Sequence, residues 1–226
     1  YEDSVGNALC RLLRAQDAFI DIDSFKRDGP PFVFFGPDNN AGALEPFALA
    51  REEAALAACL GVDLAIHGWL PAYEKLHAAR ARLGLPALAP TEGHGTTEYM
   101  RFAGGYGVTL ECGRHDDPAS VGTGERAIRA ALAQLGMIEA PRPAPAVKQV
   151  WRLDTVIVRE SAGDRLEAPW KTGDAVAAGA VLARRGDGGA VTAAQDGFVV
   201  FPDPNAEIGK GLAYFAVASD RRVPAP

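Results

Sequence analysis

Cysteine, methionine, histidine and tryptophan are all scarce in this chain: three, two, four and three among 226 residues. Cys10, Cys59 and Cys112 are an odd number without metal-knuckle spacing, so buried thiols in a reducing, cytoplasmic compartment are expected rather than a disulfide framework. No apolar run approaches the roughly 18 residues of a membrane span. Positive charge is also short, with 23 Lys and Arg against 29 Asp and Glu and a formal net charge of −6. No segment concentrates it, so neither nucleic acid nor a membrane is an expected partner. The HExxH pattern, the P-loop, the dinucleotide glycine pattern and the serine nucleophile elbow are missing as well, which removes the best-marked routes to metalloprotease, nucleotide and serine-hydrolase chemistry. The opening YEDSVGNALC lacks the shape of a signal peptide and starts without Met, so further residues are expected upstream in the gene product.

The remaining composition, 48% hydrophobic and 23% charged, suits an ordinary core, and the length suits one large domain or a medium and a small one. Helical spacing of Val5, Ala8, Leu9, Leu12 and Leu13 is followed by the apolar strand AFIDI, then by PPFVFFG as a second strand. LEPFALAREEAALAACLG reads as one long helix with Glu45 and Pro46 in its first turn and Gly61 at its C-terminus. VDLAIHG is a strand, and AYEKLHAARARLG is a helix with Tyr73, Leu76, His77 and Leu83 on its apolar side. From Leu85 to Gly107 the pattern is too polar and Gly-rich for core. YGVTLECG then returns as a strand at an expected edge of the sheet, before a loop and the helix VGTGERAIRAALAQLGMI. Alternation of short strands with longer helices is the α/β signature.

The Pro-rich run 141–149 reads as a stiff connector between a domain at 1–140 and a β-rich domain at 150–226. In the latter, GDAVAAGAVLA and EIGKGLAYFA form two half-repeats that resemble lipoyl/biotinyl-type barrel-sandwich domains. Their joining hairpin, RRGDGGAVTAA, has no lysine for a cofactor amide, so a carrier role is declined.

Two strand ends carry acids that need an explanation. Glu111 closes an apolar strand before a glycine and a polar loop, where open α/β sheets place ligands, and burial would raise its pKa into the range of a general base. The bland alternative is a turn cap. Asp21 and Asp23, two residues apart, share one strand face and call for a cation, either a metal or an arginine. His94 and His115 lie in loops and are more available than His67 and His77.

On these residues a resemblance rests. DAFIDIDS and VTLECG, continued by CGRHDDPAS and by VIVR, APWKTGD and DGFVVFPDP, are similar to a bacterial branch of the succinylglutamate desuccinylase/aspartoacylase family, which is related to zinc carboxypeptidases. The resemblance spans essentially the whole chain. It implies a carboxypeptidase-like α/β fold with a mixed sheet and helices, a small all-β barrel-sandwich-like domain after it, one zinc ion, and hydrolysis of an acyl group from an N-acyl amino acid or similar small amide. It places Glu111 as the base, Asp23 where the family's third zinc ligand is histidine, and Arg101 as the arginine that binds a substrate carboxylate. The family's other two zinc ligands, in a Gly-x-His-Gly-Asn-Glu motif, would precede Tyr1. The expected partner is a carboxylate-bearing small molecule, with a homo-oligomer also compatible. A silent small-molecule binding protein on the same fold, and an interaction role for the β-rich part, stay open beside the enzyme.

Overall fold

The computed structural model describes residues 2–89 and 92–223, with side chains from Ala8 onward. The helix face expected at Val5 therefore lies partly outside the described side chains, and so do Pro90 and Thr91 of the polar stretch. The elements run α1 (Glu2–Leu13), β1 (Ala18–Phe25), β2 (Phe32–Phe34), α2 (Ala50–Cys59), β3 (Leu64–His67), α3 (Trp69–Arg82), α4 (Thr96–Phe102), β4 (Tyr106–Arg114) and α5 (Pro118–Gln134). They continue with β5 (Gln149–Val158), β6 (Arg165–Leu166), β7 (Ala175–Val176), β8 (Val181–Arg184), β9 (Ala190–Thr192), β10 (Gly197–Val200) and β11 (Gly211–Ala218). No helix among them is long and apolar enough to cross a membrane.

Eight strands form one mixed sheet in the order β1-β4-β2-β3-β5-β11-β10-β7, and β6-β8-β9 form a second, three-stranded sheet. Strand β4 shows how alternation builds the site. Val108, Leu110 and Cys112 turn to one face, where they pack with residues of α2 and α5 such as Leu56, Ala57, Ala127 and Ala131. Thr109 and Glu111 turn to the other face, because successive side chains on a strand point to opposite sides. That second face also carries an aromatic cluster, with Phe25, Phe32 and Trp151 buried against Ala72 of α3 and Tyr214 of β11.

Three expectations are corrected. Strand β4 is not at an edge: it pairs in parallel with β1 and antiparallel with β2, and its polar residues face a cavity rather than open solvent. The long helix begins only at Ala50. Its supposed first turn is irregular because Asn40 and Phe47 form a bridge and the Glu45 carboxylate turns inward to Arg101. The stretch 85–107 is not wholly surface, since α4 buries Met100, Glu98 and Arg101.

The β-rich region follows the connector, and its own core joins Leu182, Val199, Leu212 and Phe215. It is only partly set apart. The first residues of β5 pair in parallel with β3, from Leu64↔Gln149 to His67↔Arg152, and residues 151–158 pair antiparallel with β11, so that Trp151 and Arg152 have a neighbour strand on both sides. The connector is tied down as well, through the Ala146 N–H to the Ala58 carbonyl and the Lys148 N–H to the Asp63 carbonyl, both 2.8 Å. In the hairpin without lysine, Arg184 pairs with Glu167 and Arg185 with Asp164.

Candidate active site

Parallel pairing of β1 with β4 sets Asp21 beside Thr109 and Asp23 beside Glu111. All four line one cavity of about 310 Å³. Glu111 also lines a second, more open cavity of about 680 Å³ whose wall includes Ser24, Lys26, Arg27 and His115. Its carboxylate thus stands between two spaces, only 8% exposed, and its Oε2 is buried without a hydrogen-bond partner among the described residues. Burial, reinforced by the carboxylates of Asp23 and Asp21, pushes its pKa up to about 8. Desolvation favours the neutral acid, and two like charges across the strand pair add to the effect. Asp23 is raised for the same reasons, burial first and Asp21 second, while His115 draws it back.

His115 follows β4 directly. Its N–H donates to the Phe25 carbonyl at 2.9 Å, and its Nδ1 lies 2.6 Å from the Ser24 hydroxyl. These bonds hold the imidazole over the mouth of the larger cavity. The β-rich region supplies the opposite wall with Thr172, Phe201, Asp203 and Asn205. Phe201 sits at φ 48°, an unusual conformation for a residue with a side chain. The Thr172 hydroxyl accepts its N–H at 3.1 Å, and its ring packs 5.5 Å from Phe32 and 5.8 Å from Phe25.

Arg101 lies at the edge of the smaller cavity, but its guanidinium is already committed. Nε donates to Glu45 at 2.6 Å, Nη2 to Glu98 at 2.7 Å, and Nη1 to Glu53 at 3.0 Å and to the Gly107 carbonyl at 2.9 Å. Four polar contacts on a side chain that is almost fully buried leave no open fork for a carboxylate. The geometry therefore does not favour the clamp expected of Arg101. It makes this residue the centre of a buried ion cluster that holds the site's frame. Glu53 also accepts the N–H groups of Gly36 and Gly107, and Glu98 accepts the N–H of Gly95 at 2.9 Å at the start of α4. From that helix start the Thr96 hydroxyl donates to Asp21. Composition gave no sign of this cluster; the only local signal was Glu98 three residues before Arg101, a helical ion-pair spacing.

Asp23 reaches the cavity, where its carboxylate offers one ligand oxygen. Structural and catalytic zinc sites use at least three protein ligands, and no three His, Cys, Asp or Glu side chains among the described residues are placed to hold a metal ion. The resemblance places two of the family's three zinc ligands before Tyr1, so toward such a site the described residues supply the Asp23 carboxylate. His94 is placed elsewhere, its ring tilted against Phe102 at 5.1 Å between centroids. His67 is largely buried, hydrogen-bonded to Ser219 at 3.0 Å and pushed down to about 4 by burial and then by Arg221 and Arg152. Cys59 and Cys112 are buried free thiols, and Cys10 is a half-buried one.

The chain shares its fold with proteins named succinylglutamate desuccinylase or aspartoacylase. The succinylglutamate desuccinylase from Vibrio cholerae superposes with a TM-score of 0.65 at 15% identity, over 96% of this chain and 58% of its own. The succinylglutamate desuccinylase/aspartoacylase from Rhodobacter sphaeroides gives 0.62 at 16%, over 93% and 60%. The product-bound ectoine utilization protein EutE (DoeB) from Ruegeria pomeroyi gives 0.62 at 19%, over 93% and 61%. The chain thus spans about 60% of the length of the solved proteins it matches. No protein-family model matches it, and no curated protein matches it by sequence.

Proposed function

We propose that this chain carries the proton-transfer centre of a hydrolase that removes an acyl group from an N-acylated amino acid or a similar small amide. The observation that carries the reading is Glu111: a buried carboxylate with one unpartnered oxygen, set between two cavities and held at a pKa near 8. A group with those properties accepts a proton from water at the amide carbonyl and returns it to the departing nitrogen. The shared fold supports the choice of bond, since the solved proteins of that fold bear deacylase names. His115, fixed by Ser24 and by the Phe25 carbonyl, orients polar groups of the substrate at the cavity mouth.

The test is turnover of N-acyl amino acids by the chain and by Glu111→Gln, which keeps the volume and removes the base. A loss of at least about a hundredfold in kcat with an unchanged fold is expected. Equal rates in the two proteins would remove the base assignment. Asp23, which stands where the family has a zinc-binding histidine, favours, as second reading, a binding protein without turnover; it predicts ligand binding and no hydrolysis by either protein.

A further inference from the structure

The larger cavity contains two cations that the reaction described above does not use. Lys26 and Arg27 follow β1 immediately, are both exposed, and line the same space as Glu111. Among the described residues neither has an acid for a partner. The neighbouring Asp28, which would otherwise neutralise them, is occupied by Arg114 at 2.8 Å and by Lys171 at 3.2 Å. The other carboxylate in the wall besides Glu111 is Asp203, whose Oδ1 accepts the Asn205 N–H at 3.0 Å within its own turn. In a chain with a net charge of −6, two adjacent cations without an acid partner in one cavity wall offer an anion a local place to bind, the more so while Glu111 keeps its proton.

We infer that Lys26 and Arg27 form the recognition site for a substrate carboxylate, the role that the buried Arg101 is not free to fill. The assignment deepens the hydrolase reading, on which it rests for calling the ligand a substrate. Arg27 offers a planar fork to two carboxylate oxygens and Lys26 a mobile point charge. Their position on the open side of Glu111 directs the carboxylate outward and the scissile amide inward. The ligand chemistry is a small molecule with a carboxylate beyond its amide, whether on the acyl part or on the amine part.

Binding can be measured without turnover, by calorimetric titration of the chain with succinate and with the uncharged succinamide. Succinate should bind more tightly, and Lys26→Met with Arg27→Met should weaken it by about 10- to 100-fold while leaving succinamide unchanged. Arg129→Met, which removes an exposed cation paired with Glu125 on α5 and outside the cavity wall, should leave the preference in place. Both replaced side chains are exposed, so circular dichroism and melting should match the parent. Among substrates, loss of KM preference for N-succinyl over N-acetyl compounds places the carboxylate on the acyl part; loss of preference for amino acids over their amides places it on the amine part. A parent that binds both probes alike, or a double variant that still prefers succinate, overturns the inference. Glu111→Gln separates the two proposals, because it should abolish turnover and keep the succinate preference; loss of the preference in the double variant with normal turnover in Glu111→Gln would leave the anion site standing and remove the base.

Discussion

At the scale of single residues, the proposed chemistry turns on the ionisation of Glu111, whose buried carboxyl works as a base only once its own proton has left. Its folded pKa near 8 lies above the ordinary 4.5, so between those values the unfolded chain ionises its glutamate while the folded chain does not. Stability contributed by this group is complete below pH 4.5 and is lost as pH rises through 8. Glu111→Gln should therefore match the parent in denaturant melts at pH 4 and exceed it at pH 9, by up to about 5 kcal/mol if the full shift is realised. A parent that is the more stable at pH 9 would contradict the buried-acid account. In kinetics the sign is the opposite: kcat/KM should climb with pH and level off near 8, as the basic form becomes dominant. Glu111 and Asp23 were legible in the sequence because an acid that ends an apolar strand is rare without a reason. Lys26 and Arg27 were not, since charged residues after a strand are the usual makeup of a turn, and only the tertiary pairing of Asp28 with Arg114 and Lys171 sets them apart.

Among the elements, α4 was the one hidden by composition. Its seven residues lie in a glycine-rich stretch, and the charged side chains that made it look like surface are the ones it buries. Three glutamates on one arginine leave a formal excess of two negative charges in the interior, and burial raises Glu45 as a result. Removing the cation would strand all three. Arg101→Met should cost about 3 to 5 kcal/mol in a denaturant melt, with loss of folded protein as the first symptom. A variant that folds normally and loses only affinity for carboxylates would restore the clamp. Packing around this cluster also explains a glycine: a Cβ at Gly36 would lie 2.7 Å from Arg101 Cδ and 2.8 Å from Glu53 Oε1. Gly36→Ala is accordingly expected to destabilise by about 1 to 3 kcal/mol through overpacking. The alternating strands β1, β2, β3 and β4 were readable from period and apolar content, whereas the start of α2 was not, because nothing local shows that Glu45 has a partner 56 residues away.

For the whole molecule, the decisive element is β5, which joins the two halves of the eight-stranded sheet by pairing with β3 on one side and with β11 of the β-rich half on the other. The proline-rich run before it reads as a stiff connector between two domains, and in the fold that run is itself hydrogen-bonded to α2 and to the residue before β3. Calorimetry should show one cooperative transition with equal calorimetric and van't Hoff enthalpies; two separate transitions would mean that the halves fold independently. The larger cavity has the same double ownership, with Ser24, Lys26 and Glu111 from one half and Phe201, Asp203 and Asn205 from the other. A small molecule seated there would clasp both halves and exist only on the folded chain, so by mass action it would raise the melting temperature of everything at once, by an amount set by its concentration over its Kd. The protein's own heat resistance is thus a readout of cavity occupancy, and a library of N-acyl amino acids could be ranked against it before any product is looked for.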